Sequence, residues 1–121
     1  MIKLETFGYE DFDRLISWVK SEKEMIQFAG PVFTYPLTRE QLIQYSTNKV
    51  RQVFKVRLIS TGEVVGHCEL NFQNQIPRLS RILIGDSTLR NQGMGKAIVR
   101  SLLDRVFEST CHDSVDLTVF N

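Results

Sequence analysis

Arg90-Asn91-Gln92-Gly93-Met94-Gly95-Lys96 follows an apolar run closed by Gly85 and precedes a long helix-forming stretch. The chemistry open to that arrangement is anion binding. A helix N-terminus leaves backbone N–H groups unpaired and carries the positive end of the helix dipole. Where the loop backbone can approach closely, several of those groups converge on one phosphate. Gly93 and Gly95 remove the β-carbons that would obstruct the approach and permit positive φ, while Arg90 and Lys96 add charge. A tight turn that merely starts a helix uses the same glycines, so the pair alone does not decide between the two. Two familiar phosphate motifs are excluded. The G-x-x-x-x-G-K-S/T loop is absent, and a dinucleotide fingerprint needs a third glycine and a βαβ unit.

A second constellation lies upstream. If residues 64–72 form a strand, alternation puts His67, Glu69 and Asn71 on one face and Gly66, Cys68, Leu70 and Phe72 on the other. A polar trio on a central strand can line a cleft, with Glu69 ahead of His67 as a general base. A half-exposed sheet face with satisfied polar groups gives the same pattern. Cys68, on the apolar side, reads as a small inert hydrophobe. Cys111 and His112 have no third ligand nearby, so the reading includes no metal. Trp18, Phe28, Phe33 and Tyr35 suit either a pocket or plain core.

The elements that must position these residues are legible from periodicity. Residues 2–7 read as a strand, 11–20 and 22–28 as helices, and Ala29-Gly30-Pro31 as a breaker. Thr38-Arg39-Glu40-Gln41 has the form of a capping box and opens a helix to about residue 47. Residues 52–59 and 64–72 form a hairpin across Ser60-Thr61-Gly62-Glu63, and 79–85 is the next strand. Ile98, Leu102 and Val106, with Val99, Leu103 and Phe107 beside them, mark an amphipathic helix to about residue 109. Residues 114–120 are a last strand. The order is β-α-α-α-β-β-β-α-β, a mixed α/β fold in which the strands before the glycine turn form an antiparallel meander.

Composition sets the frame. The chain has 121 residues, 42% hydrophobic and 24% charged, with a net charge of +1. That suits a single domain spanning 1–121, and the neutral balance gives no field for nucleic acid or an acidic membrane. No apolar run approaches the roughly 18 residues of a membrane span. The expected setting is cytoplasmic.

Arg90-x-x-Gly93-x-Gly95, after a meander strand and before a long helix, resembles the acyl-CoA-binding signature (Q/R)-x-x-G-x-(G/A) of the GNAT N-acetyltransferases. The element order is similar to that family's throughout. "YEDFDRLISWV", "FTYPLT" and "GEVVGHCEL" resemble its ribosomal-protein and small-molecule branch. The resemblance implies acetyl-CoA as co-substrate and a primary amine of a peptide N-terminus or small molecule as acceptor. It implies that Ile82, Leu83 and Ile84 pair with the pantetheine arm. It further implies that the N–H groups of Asn91, Gln92, Gly93, Met94, Gly95 and Lys96 cradle the pyrophosphate, with Arg90 at its edge and Asn121 nearby. Glu69 is the candidate base, and backbone N–H groups polarise the thioester. The family pattern continues with a helix that opens at the position of Asn121 and bears a tyrosine, then two strands. Tyr9, Tyr35 and Tyr45 all lie in the N-terminal half, so the expectation is a shortened domain, its last strand covered by a second copy. The alternative is a weak or inactive CoA-binding, dimerising module.

Overall fold

The computed structural model describes residues 2–73, 76–85, 89, 93–109 and 116–117. Its elements run β1 (Ile2–Thr6), α1 (Phe12–Trp18), α2 (Glu22–Ala29), α3 (Arg39–Thr47), β2 (Arg51–Leu58), β3 (Val64–Asn71), β4 (Arg78–Ile84), α4 (Met94–Ser109) and β5 (Asp116–Leu117). This is the expected order. The sheet runs β1-β2-β3-β4-β5, antiparallel through β4 and parallel between β4 and β5. The expected last strand, 114–120, is described only at Asp116 and Leu117, which pair with Arg78 and Leu79.

The sheet separates two apolar layers, and alternation along the strands decides which side chain joins which. On one face Leu4, Phe54, Val56, Cys68, Leu70 and Leu79 meet α4. That helix answers with Met94, Ile98, Leu102 and Val106, a four-residue stripe on one side. Val99 and Leu103 flank it partly buried, whereas Phe107 is 48% exposed and stands outside the face expected for it. On the opposite face α1, α2 and α3 pack Phe12, Leu15, Met25, Phe28, Leu42 and Tyr45 against the sheet. Each fully buried Leu or Phe in these layers stabilises the fold by about 1.5–3 kcal/mol.

Local chemistry places the helix ends. Ser21 accepts from the Glu24 N–H and Thr38 from the Gln41 N–H, so both hydroxyls satisfy a first-turn donor. The capping box at Thr38 is half formed. The Gln41 side chain instead turns to the preceding loop, accepting from the Thr34 N–H at 2.8 Å and donating to the Thr34 and Pro36 carbonyls. That loop is irregular and has few backbone partners of its own, so the amide is worth more there than at Thr38. Gly62, at φ 74°, makes the β2–β3 turn in which its N–H donates to the Leu58 carbonyl.

Asp11 ties the entry of α1 to the sheet. It is 1% exposed, accepts the Gly8 N–H at 2.9 Å, pairs with Arg14, and receives Lys55 of β2 at 3.1 Å. Burial pushes its carboxyl up, but the Gly8 N–H, Arg14 and Lys55 outweigh that and hold it below the ordinary 3.8. Its contribution is complete above that value and is lost as pH falls through the lower, folded one. Asp11→Ala should therefore reduce the unfolding free energy by about 2 kcal/mol at neutral pH. Urea titrations should show the gap between wild type and variant closing below about pH 4. A constant gap across that range would contradict the assignment.

Candidate functional site

The polar stripe on β3 faces the helices α1–α3, and it is buried at His67 and Glu69 while Asn71, at the end of the strand, stays partly exposed. His67 is 1% and Glu69 0% exposed. A carboxylate without solvent requires compensation from every direction. Glu69 Oε1 accepts the Tyr45 hydroxyl at 2.5 Å. Oε2 accepts Ser80 Oγ at 3.0 Å, an Arg81 guanidinium N–H at 3.2 Å and Asn71 Nδ2 at 3.5 Å. Arg51 Nε lies 3.4 Å from the same oxygen, an ion-pair distance without hydrogen-bond alignment. The Arg51 guanidinium also lies over the Tyr45 ring, 5.2 Å from its centroid. Burial first, and then the Glu69 charge, raise the Tyr45 phenol well above its usual 10, so it stays a donor.

His67 sits beside this network in an aromatic enclosure. Phe7 and Phe28 present ring edges to it at centroid distances of 4.8 and 5.5 Å. Its Nε2 meets the Tyr45 hydroxyl at 3.2 Å, while Nδ1 has no hydrogen-bond partner among the described residues. Burial, reinforced by the Arg81 charge, pulls its pKa from 6.5 to about 3. It is a neutral imidazole at ordinary pH.

On the far side of β4 the surface opens. Ile82, Leu83 and Ile84 form one wall of a groove of about 220 Å³, with Trp18, Val19, Glu24, Gln27 and Phe28 of the helical layer as the other. The three strand residues singled out in the sequence are thus brought together on one accessible surface, along with Trp18 and Phe28. Phe33 lines a different cavity with Tyr45 and Arg51, and Tyr35 is 39% exposed, its hydroxyl donating to the Lys20 carbonyl. Trp18 lies flat against Gly85 at the end of β4. A β-carbon there would come within 2.0 Å of the indole, so glycine is what lets the ring form the groove wall. Glu24 is the carboxylate of this lining; its Oε2 accepts the Lys20 N–H at 2.9 Å.

The helix start is described from Gly93 onward. Gly93 adopts φ 78°, and its carbonyl accepts the Ala97 N–H at 3.1 Å, the first bond of α4. The N–H groups of Met94, Gly95 and Lys96 lie ahead of that bond in the first turn. Among the described residues, a β-carbon at Gly93 or Gly95 would meet nothing within 4 Å, with Gly93 exposed and Gly95 partly so. Met94 is 5% exposed and pins this turn into the core beneath α4, while Lys96 faces solvent. Arg90, Asn91, Gln92 and Asn121, named from the sequence, lie outside the described residues, as do Cys111 and His112. Cys68 is fully buried, and desolvation raises its thiol, so it is inert packing.

Sequence reasoning missed Tyr45, Arg51, Ser80 and Arg81 as members of the Glu69 network. One signal was present. Tyr45 falls three residues after Leu42 on the buried side of α3, and a buried tyrosine hydroxyl needs a partner. Ser80 and Arg81 gave none, because the strand irregularity that turns them toward Glu69 has no mark in the sequence.

Comparison with known proteins adds to this geometry. A family model described as "Acetyltransferase (GNAT) family" matches residues 12–121. Among solved structures, a domain from Methanocaldococcus jannaschii aligns at 19% identity and TM-score 0.72, covering 90% of this chain and 71% of that one. Aminoglycoside acetyltransferase AAC(6')-Ib in complex with coenzyme A and kanamycin aligns at 16% identity and TM-score 0.69, covering 89% and 68%. A spermidine N-acetyltransferase chimera from Vibrio cholerae and hSSAT aligns at 15% identity and TM-score 0.67, covering 88% and 63%. At such identities the likeness is one of fold.

The buried imidazole makes a measurable demand on pH. An unfolded chain takes up a proton at His67 near 6.5, whereas the folded protein refuses it until about 3. Stability is therefore complete above 6.5 and falls as pH drops, by up to about 1.4 kcal/mol per unit. Between pH 6.5 and roughly 5 the loss precedes that of the carboxylates. Chemical denaturation across this window should show the slope in wild type and a nearly flat line in His67→Leu. Equal slopes would place the imidazole in contact with water.

Proposed function

This chain belongs to the acetyltransferase (GNAT) family, and from that membership we propose that it transfers an acetyl group from acetyl-CoA to a primary amine on a small molecule or a peptide N-terminus. The observation that carries the reading is the groove along Ile82, Leu83 and Ile84, on the strand that leads into the open helix start at Gly93. A long, jointed donor with an apolar-walled arm and a pyrophosphate end suits those two surfaces together.

The reaction forms an N–C bond at the thioester carbon and breaks the C–S bond; the amine gives up a proton and the departing sulfur takes one. Each part of the site has a share in this. Ile82 and Leu83 line the groove to hold the pantetheine arm, with Trp18 and Phe28 excluding water from the opposite wall. The N–H groups of Met94, Gly95 and Lys96, with the Lys96 ammonium, receive the pyrophosphate, and Arg90, Asn91 and Gln92 belong to the same loop by sequence. An amine arrives protonated at neutral pH, and Glu24 places a carboxylate where it enters. Coenzyme A in the aminoglycoside enzyme complex supports the choice of donor, and the aminoglycoside kanamycin in the same complex supports an amine acceptor. Glu69, the base candidate of the sequence, lies behind the groove wall rather than in it, which supports an indirect part in the reaction.

Calorimetry with CoA and acetyl-CoA should show one binding event. Gly93→Glu, which puts a carboxylate at the phosphate position and a side chain at φ 78°, should weaken it by about 100-fold or more, roughly 2.7 kcal/mol. Absence of heat with both ligands would remove the proposal. Thiol release from acetyl-CoA across a panel of mono- and polyamines then identifies the acceptor. In that assay Glu24→Gln should raise the amine KM roughly fivefold and leave the acetyl-CoA affinity alone. A variant that loses donor affinity instead would assign Glu24 to the other substrate.

A further inference from the structure

Arg81 has φ 50°, the single positive value among the described non-glycine residues. An arginine rarely adopts that conformation unless its surroundings impose it. The register explains where it falls. His67 pairs with Leu83, and Glu69 with Ser80, so Arg81 and Ile82 of β4 stand opposite the single residue Cys68 of β3. This is a β-bulge, a device that bends a strand and re-aims the residues after it. The residues after it, Ile82, Leu83 and Ile84, are the strand wall of the groove.

The Arg81 side chain is fastened at this point. It is 8% exposed and turns inward, donating to Glu69 Oε2 at 3.2 Å and Ser80 Oγ at 3.0 Å. Ser80 donates to the same carboxylate oxygen, so both residues at the start of the bulge are fastened to one acceptor. Glu69 in turn is fixed by Tyr45 from α3 and Arg51 from β2. The carboxylate does not line the groove and has no solvent contact, so in this arrangement it meets no substrate directly.

We propose that Glu69 and Arg81 are a buried positioning pair that holds the β4 bulge and thereby sets where the backbone of Ile82 and Leu83 faces the groove. The proposal rests on the acetyltransferase reading for its consequence in catalysis but not for its structural content. Glu69→Gln keeps the shape of the side chain and removes the charge that Arg81 and Arg51 share.

Two measurements test it on the full chain. The first needs no ligand. The HN–Hα coupling and Cα shift of Arg81 should report positive φ in the wild type and lose that signature in Glu69→Gln, with faster amide exchange at Ile82 and Leu83. Unchanged signals at all three residues would overturn the pair's role. The second is kinetic. The same variant should lose about 100-fold in kcat/KM, bind acetyl-CoA more weakly, and keep the acidic limb of its pH–rate profile. Loss of that limb at unchanged acetyl-CoA affinity would make Glu69 the base itself and overturn the proposal. If Glu69→Gln fails to fold, Arg81→Ala replaces it and should give the same spectral change, with Arg81→Lys restoring most of the activity. A wild-type spectrum in Arg81→Ala would count against the pair. A wild type that binds no acetyl-CoA would remove the acetyltransferase reading and leave the spectroscopic result standing.

Discussion

A carboxylate with no access to water governs the layer between the sheet and the first three helices. Glu69 in an apolar interior would be untenable alone, since desolvating a charge costs several kcal/mol even after relaxation. Its neighbours are consequently chosen in concert: a tyrosine from α3, an arginine from β2, a serine and an arginine from β4. Among the elements packed around β3, α3 and β2 each contribute one partner and β4 contributes two, so the network registers these elements against one another. Replacing the whole set with well-packed hydrophobes could keep the stability. It would not keep the bend of β4, which depends on a directional contact.

The other face of the sheet works by a different rule. There α4 meets the strands through aliphatic side chains spaced four apart, with Cys68 and Leu70 of β3 opposite. Such contacts are non-directional and tolerate small shifts. They hold the helix down without dictating the detail of its first turn, and Met94 is the residue that anchors that turn. One face therefore supplies a firm base for the start of α4, and the other supplies the precision of the groove. His67 marks the boundary, a polar ring kept neutral among phenylalanines at the edge of the charged network.

The groove depends on both. Its strand wall is aimed by the bulge, and its helical wall by the Trp18 ring lying on Gly85, where no β-carbon intervenes. Glycine at this position does for the indole what Gly93 does for the helix start, through space in one case and through backbone conformation in the other. The strand that walls the groove directly precedes α4 in the order of elements, so the two glycine-dependent features belong to consecutive parts of the chain.

Much of this was legible in the residues. Periods of two and of about four are imposed by backbone geometry, so the element order, the division of β3 into a polar and an apolar face, and the α4 stripe followed directly. The glycine turn was visible for the same reason, because only certain residues tolerate a positive φ. The exposure of Phe107 and the half-made capping box were not, since each depends on what lies next to the helix rather than on the helix. Nor was the depth of Glu69. Alternation says which way a side chain points, but only packing says whether water follows it. The bulge at Arg81 is the clearest case. A strand that inserts one residue looks like any other strand in sequence, and the contact that holds it joins residues 69 and 81 across the sheet. By itself the sequence determined the elements, their faces and the glycine turn, because those are local consequences of backbone sterics. Tertiary structure alone decided that the polar stripe became a sealed charge network and that β4 bends away to open a groove, because burial and register are properties of neighbours that only folding brings together.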